Sequence, residues 1–107
     1  MTMKDESRIM IGWTTLSCFE DAKLLLRSLL EHKLIACGQI NGPVESHYVW
    51  KNNLVNEEEW RVALKFSCQN TLEIERKLAE IHPYEVPQWI YLEANGSEAY
   101  KKWINSI

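Results

Sequence analysis

The chain lacks the usual signals of nucleic-acid-binding, membrane-bound and secreted proteins. Lysine and arginine number 12 against 15 acidic residues, and no basic run is longer than Lys101–Lys102. A nucleic-acid interface or a membrane-surface helix is therefore not expected. No apolar run approaches the length of a bilayer span, and the polar segment Met1–Ser7 has no signal-peptide core. We expect a cytoplasmic protein that contacts neither membrane nor nucleic acid.

Cysteine is scarce, and motifs for catalysis are missing. Cys18, Cys37 and Cys68 are odd in number and have no Cys-x-x-Cys spacing, which argues against a disulfide framework or a structural zinc site. We expect them to be small buried side chains. The chain has no Gly-rich phosphate loop, nucleophile elbow or metalloprotease motif, so we do not expect an enzyme. The alternative is a reactive thiol at Cys18, at the start of a predicted helix.

Aromatic residues are abundant, with five Trp and four Tyr among 107 residues. The hydrophobic fraction of 46% and the charged fraction of 25% are typical of globular proteins, and the length predicts one domain, residues 1–107. Residues 1–7 are predicted to be a flexible N-terminus. Since so small a domain leaves much of its surface exposed, we expect some aromatic side chains at a subunit interface.

Hydrophobic periodicity predicts a strand, a helix and then a long hairpin in the first two thirds of the chain. Residues 8–16 are apolar enough for a buried strand, and Ser17 with Glu20 predicts a capping box for a helix that ends near 33–34. A second strand begins near Ala36, with a bulge at Gly42–Pro43. Asn52–Asn53 is the predicted hairpin tip. The return strand is predicted to bury one face, formed by Trp60, Val62, Leu64 and Phe66.

The last third of the chain predicts a helix, a short strand and a final helix. Asn70 with Glu73 suggests a second capping box, and Ser97 is suited to cap the last helix. The resulting fold class is α+β, a ferredoxin-like βαββαβ sandwich with a long central β-hairpin and an extra C-terminal helix. Because an overhanging hairpin exposes unpaired strand edges, we expect copies of the chain to cover them in a closed homo-oligomer.

The six residues His82-Pro-Tyr-Glu-Val-Pro87 predict a stiff corner after the second helix. Pro83 cannot continue a helix and pushes His82 toward an extended conformation. The corner is expected to present an imidazole, a phenol and a carboxylate together. It is either a packing device or the wall of a site, and the residues alone leave both alternatives open.

The ordered set of motifs resembles the CutA family of divalent-cation tolerance proteins, over residues ~9–107. The matching pieces are Lys33–Cys37, Ile40–Gly42, Tyr48–Trp50, Leu64–Lys65, His82–Pro87 and Ala99–Trp103. The resemblance implies a ferredoxin-like subunit, a tightly packed homotrimer and a role in tolerance of copper and other divalent metals. It also implies similarity in fold to the PII nitrogen-signalling proteins.

The copper ligands that the resemblance implies are incomplete in this chain. They are a Cys at the end of the first strand and two adjacent His before the Pro-Tyr. Those positions carry Thr14, Ile81 and His82, so only His82 remains of the implied set as a candidate metal ligand. The alternative is that Cys18, one helical turn past Thr14, substitutes for the missing cysteine. One imidazole makes a poor transition-metal site. We therefore expect no obligatory cofactor and at most weak, surface-borne contact with copper or another divalent cation; the alternative is that His82 caps the helix or hydrogen-bonds within the corner.

A ligand cleft between subunits is the second candidate site. Tyr84, Glu85 and Lys65 could converge there on a small anionic or zwitterionic ligand; the alternative is a Lys–Glu ion pair that fixes the subunit register. Trp50 could stack on the ligand or pack in an interface. The run of glutamates at 57–59 is expected to be a solvated strand entry; the alternative is that it attracts cations weakly.

The leading hypothesis is a non-enzymatic homotrimer of the CutA type that acts in divalent metal tolerance or response. One alternative is a small-molecule sensor or signalling trimer, by analogy with PII proteins. Another is a rigid trimeric anchor for a protein partner that the sequence does not identify.

Overall fold

The fold has the predicted order of elements. The computed structural model describes residues 8–107; the predicted flexible segment 1–7 lies outside the described residues. The elements are β1 (Ile9–Leu16), α1 (Phe19–Glu31), β2 (Cys37–Trp50), β3 (Asn53–Ser67), α2 (Thr71–Ile81), β4 (Ile90–Ala94) and α3 (Glu98–Asn105). A short 3₁₀ turn, Cys68–Asn70, leads into α2.

The four strands form one antiparallel sheet in the order β2-β3-β1-β4. β1 pairs with β3 along its whole length, from Ile9 opposite Ser67 to Leu16 opposite Trp60. β4 pairs with β1 only as far as Trp13. β2 and β4 are therefore the edge strands, and the predicted α+β ferredoxin-like class is confirmed.

The hydrophobic core lies between one face of the sheet and the helices α1 and α2. The inward face of β3 follows the predicted alternation, since Val62, Leu64 and Phe66 are fully buried and Trp60 is half-buried. The core also contains Leu16 of β1, together with apolar side chains of α1 and α2. The helical members are Ala22, Leu25, Leu26, Leu29, Ile74 and Leu78. Leu30 of α1, in contrast, is 43% exposed.

A glycine in β1 permits one close contact near the edge of this core. A Cβ atom at Gly12 would lie 2.6 Å from the Trp89 ring, well inside van der Waals contact. The indole therefore lies directly against the backbone of β1. Trp89 also stacks on Phe66, with ring centroids 6.0 Å apart.

The β2–β3 hairpin projects from the rest of the molecule, whose principal extents are 48 × 26 × 25 Å. Pairing shifts from Asn41 opposite Arg61 to Val44 opposite Glu59, which confirms the predicted bulge. The tip lies one residue earlier than predicted: Lys51 and Asn52 have φ of 51° and 67°, as in tight two-residue hairpin turns.

Both predicted capping boxes are wrong, because their side chains bond elsewhere. Cys18 is the N-cap of α1, without a side-chain cap bond, and the Ser17 hydroxyl hydrogen-bonds to Tyr84 instead. Asn70 is the N-cap of α2, but its amide donates to the Leu34 carbonyl at 3.1 Å. The prediction for α3 is confirmed, since Ser97 Oγ accepts a hydrogen bond from the backbone N–H of residue 100.

Two smaller predictions also fail. α1 ends at Glu31 rather than near 33–34, and Lys33 adopts a left-handed φ of 57°. The cysteines are not buried: Cys18 is exposed, while Cys37 and Cys68 are half-buried. Cys18 is exposed because it precedes the first turn of α1 rather than lying on the apolar stripe of that helix.

Candidate functional site

The corner after α2 is fixed by the buried imidazole of His82, which is 8% exposed. Its Nδ1 accepts a hydrogen bond from the backbone N–H of Tyr84 at 3.2 Å, and its Nε2 lies 3.0 Å from the Thr15 carbonyl oxygen. A backbone N–H can only donate and a carbonyl can only accept. Nε2 therefore carries the proton, and the imidazole is neutral. Burial also lowers the pKa of His82.

These hydrogen bonds bear directly on the predicted metal role of His82. Both ring nitrogens are engaged, and Thr14 Oγ1 lies 3.1 Å from Nε2 at the position where the family resemblance implies a cysteine. Residues 8–107 contain no group of three or more His, Cys, Asp or Glu side chains that could hold a metal ion. The side chains around His82 therefore do not fit a copper site, and metal binding there would require a hydrogen bond to break.

Tyr84 connects the corner to the hairpin. Its hydroxyl donates to Glu59 Oε2 at 2.7 Å and also hydrogen-bonds to the Ser17 side chain. Glu59 is only 6% exposed, although it is a carboxylate on β3. Burial and the Glu59 hydrogen bond raise the pKa of Tyr84, so the phenol remains a proton donor at neutral pH. The corner thus contacts both β3 and the start of α1.

A cleft of about 640 Å³ lies between the hairpin and the corner. It contains three of the four predicted cleft residues, Trp50, Tyr84 and Glu85. The cleft also contains a second phenol–carboxylate pair, Tyr48 and Glu57, which the sequence did not predict: Tyr48 donates to Glu57 Oε1 at 2.5 Å. That hydrogen bond raises the pKa of Tyr48 to about 12.

Lys65, the fourth predicted cleft residue, lies elsewhere in this chain. Its Nζ donates to Gln39 Oε1 at 3.1 Å and lies 5.9 Å from the centre of the Tyr100 ring. A single chain therefore does not bring Lys65 together with Tyr84 and Glu85. A contact between Lys65 and the cleft of a neighbouring copy stays a prediction.

The carboxylates Glu57 and Glu59 are the site residues that the sequence interpretation missed. The run 57–59 was expected to be solvated, yet Glu59 is buried and both side chains line the cleft. The signal was the two-residue period of the strand, which places 57 and 59 on one face. Tyr48 is diagonal to Glu57 in the hairpin register, because Ser46 lies opposite Glu57.

Comparison with known proteins finds relatives whose sequence similarity to this chain extends over most of its length. A divalent-cation tolerance protein CutA from Thermotoga maritima is 31% identical over 90% of this chain and 95% of its own length. The CutA of Pyrococcus horikoshii is 29% identical, covering 90% of this chain and 94% of the relative.

Solved structures match the fold closely. The CutA1 of Ehrlichia chaffeensis has a TM-score of 0.87 and 33% identity, covering 92% of each chain. The CutA1 of a psychrotrophic Shewanella has the same TM-score, identity and coverage, and is described as a stable protein. Within residues 8–107, no helix has both the length and the apolar character needed to cross a bilayer. The sequence model of the CutA1 divalent ion tolerance proteins matches residues 10–107, and the chain belongs to that family.

Proposed function

We propose that this chain acts as a homotrimer in the tolerance of, or response to, divalent metal ions including copper, without catalytic activity of its own. The metal role is supported by its relatives, which are named divalent-cation tolerance proteins. The observation that carries the trimer is the apolar character of both sheet edges. Val49 of β2 is 64% exposed, and Ile90 and Leu92 of β4 are each 55% exposed.

Such edges favour association between copies. An edge strand offers unpaired N–H and C=O groups, and exposed apolar side chains beside them gain free energy when another strand covers them. Unpaired N–H and C=O groups line the long edge of β2 on one copy and the short edge of β4 on another, and these groups can hydrogen-bond to one another. Closed assembly of three copies leaves neither edge exposed.

Sedimentation equilibrium tests the assembly. The wild-type chain is expected to have three times the 12.6 kDa mass of one copy. Leu92→Lys places a charge on the β4 edge and is expected to shift the mass toward one copy. Leu72→Lys is the matched control, because Leu72 is 64% exposed on α2, away from both edges, and should leave the mass unchanged. A wild-type chain with the mass of one copy would refute the trimer.

Copper binding is proposed to be weak and confined to the surface, because the His82 nitrogens are both hydrogen-bonded. Calorimetry of tag-free protein with copper(II) should therefore find no stoichiometric sub-micromolar site. His82→Ala is the informative variant. A tight copper site in the wild type that disappears in this variant would show that the imidazole leaves its hydrogen bonds to bind metal.

The cleft favours a second candidate function, that of a small-molecule sensor. Its volume of about 640 Å³ is in the range of ligand pockets in proteins. Thermal-shift measurements against nucleotides and small carboxylates test the sensor in the form that the PII analogy suggests. A stabilisation by any of these ligands would support it, and no shift would count against it.

A further inference from the structure

Glu59 is a buried carboxylate that forms no ion pair with any of residues 8–107. It is 6% exposed, and its Oε2 accepts a hydrogen bond from the neutral phenol of Tyr84. Among the ion pairs formed by residues 8–107, none includes Glu59, Glu57 or Glu85. A buried charge is costly unless it is paired. Within residues 8–107, the carboxylate of Glu59 therefore has a hydrogen bond but no cationic partner.

The surroundings of Glu59 increase the negative charge rather than offset it. Glu57 and Glu85 line the same cleft, and no Lys or Arg of the described chain does so. His47 also lines it but is exposed and lies 3.3 Å from Glu45. His82 faces Glu59 as well, yet its hydrogen bonds fix it in the neutral form. Residues 8–107 therefore place no cationic side chain in the cleft beside Glu59.

The walls of the cleft indicate which kind of cation fits. Residues 8–107 hold no cluster of ligands suited to a metal ion. The cleft instead combines carboxylates with the aromatic rings of Tyr48, Trp50 and Tyr84. Aromatic faces attract ammonium groups, and the Trp50 ring already has the Lys51 ammonium 5.7 Å from its centre. Carboxylates beside aromatic rings favour an organic cation with an apolar body.

We propose that this cleft binds a small aliphatic diamine or polyamine. One ammonium group pairs with Glu59 and a second with Glu57, while the methylene chain lies along the rings of Tyr48 and Trp50. Two carboxylates on one face of β3 match two positive charges on one flexible chain. The proposal names a ligand class for the cleft of the sensor candidate, and it rests on neither the trimer nor the metal role, since a single chain forms the cleft.

Isothermal titration calorimetry of the full chain with hexamethylenediamine tests the proposal, with hexanediol as the uncharged ligand of similar length. The diamine is expected to bind about tenfold or more tightly than the diol, since hydrogen bonds to charged groups are the stronger kind. Its affinity should fall as ionic strength rises. Equal binding of diamine and diol, or no diamine binding, overturns the proposal.

Paired variants locate the site. Glu59→Gln should weaken diamine binding about tenfold or more, whereas Glu31→Gln on the exposed end of α1 removes the same charge and should change it less than about twofold. Trp50→Leu alters an exposed residue outside the core and should weaken binding by about fivefold through loss of the ring. The Trp50→Leu variant therefore still tests the site if Glu59→Gln does not fold. Unchanged affinity in Glu59→Gln or Trp50→Leu refutes the assignment.

A second copy of the chain is the competing source of positive charge. In that case the wild type binds no diamine, and Glu59→Gln lowers the mass measured by sedimentation. That result overturns the diamine proposal while supporting the trimer. Conversely, diamine binding that needs Glu59 in a chain that sediments as one copy would support the cleft and refute the proposed assembly.

Discussion

The hydrogen bond between Tyr84 and Glu59 should be a major contribution to stability outside the core. Tyr84→Phe removes the hydroxyl that donates at 2.7 Å to a carboxylate that is 6% exposed. Hydrogen bonds to charged groups contribute about 1.5–3 kcal/mol, and the loss of one partner leaves the other buried and unpaired. Since Tyr84 itself is half-buried and water can partly replace it, we expect a loss of about 2 kcal/mol in the free energy of unfolding.

A double-mutant cycle separates this bond from other effects. Glu59→Gln keeps an acceptor oxygen but removes the charge, so it should cost about 1 kcal/mol. The double variant should cost less than the sum of the two single variants, by about 1 kcal/mol, because the bond can be lost only once. Tyr100→Phe on α3 is the control: Tyr100 is 37% exposed, and among the described residues its hydroxyl has no hydrogen-bond partner.

Urea unfolding followed by circular dichroism measures these free energies. Protein concentration must be held constant across the variants, because the proposed assembly would make apparent stability depend on concentration. Tyr100→Phe should stay within about 0.5 kcal/mol of wild type. If Tyr84→Phe also stays within that range, or if the cycle is additive, then the bond does not stabilise the corner and the physical argument is wrong.

Three further predictions concern the corner, the close contact in β1 and the last helix. Burial lowers the pKa of His82 below its usual value of about 6.5, so the stability that the neutral imidazole contributes is complete above that pH and is lost as pH falls through the lower pKa of the folded state. Urea unfolding of His82→Gln at several pH values should lack this acid-dependent loss. A pH profile identical to that of the wild type would contradict the prediction. Gly12→Ala should cost about 1–3 kcal/mol in the same assay because the new methyl meets the Trp89 ring, and the cost should shrink in Trp89→Leu, whereas an undiminished cost would show that the ring is not responsible. Ser97→Ala should lower the free energy of unfolding by about 1 kcal/mol through loss of the α3 cap, and no measurable change would show that water replaces it.

The order of the elements followed from the sequence because each has its own hydrophobic period. The alternation in β3 and the apolar stripe of α1 are local patterns, and a packed core preserves them. The bulge at Gly42–Pro43 was also predictable, since proline has no N–H to donate to a strand partner. Where local pattern and tertiary packing agree, the sequence is sufficient to predict the element.

The failures share one physical cause, which is competition from distant partners. Ser17 and Asn70 both suit a helix cap, but Tyr84 and the Leu34 carbonyl bind their side chains instead. The burial of Glu59 was hidden for the same reason, because its partner is 25 residues away in the chain. A single sequence shows which side chains can hydrogen-bond, but it does not show which distant group the fold places beside them.

The candidate site was predicted in part. Trp50, Tyr84 and Glu85 line one cleft, as expected, whereas Lys65 bonds to Gln39. The sequence correctly placed Lys65 on the face of β3 that points away from Leu64. Which group its ammonium contacts, however, depends on its position along the strand. Positions on a strand rise by about 3.3 Å per residue, so six residues separate Lys65 from Glu59 by roughly 20 Å.

The bulge at Gly42–Pro43 divides the hairpin into two parts that can evolve separately. The inner part contributes Ile40 and Val62 to the core region, whereas residues 44–56 contribute none of the described core side chains. In the proposed trimer, substitutions in the outer part can therefore change which chains recognise one another without altering how each chain folds. Two related chains with the same core but different outer ribbons could coexist in one cell and assemble only with their own kind.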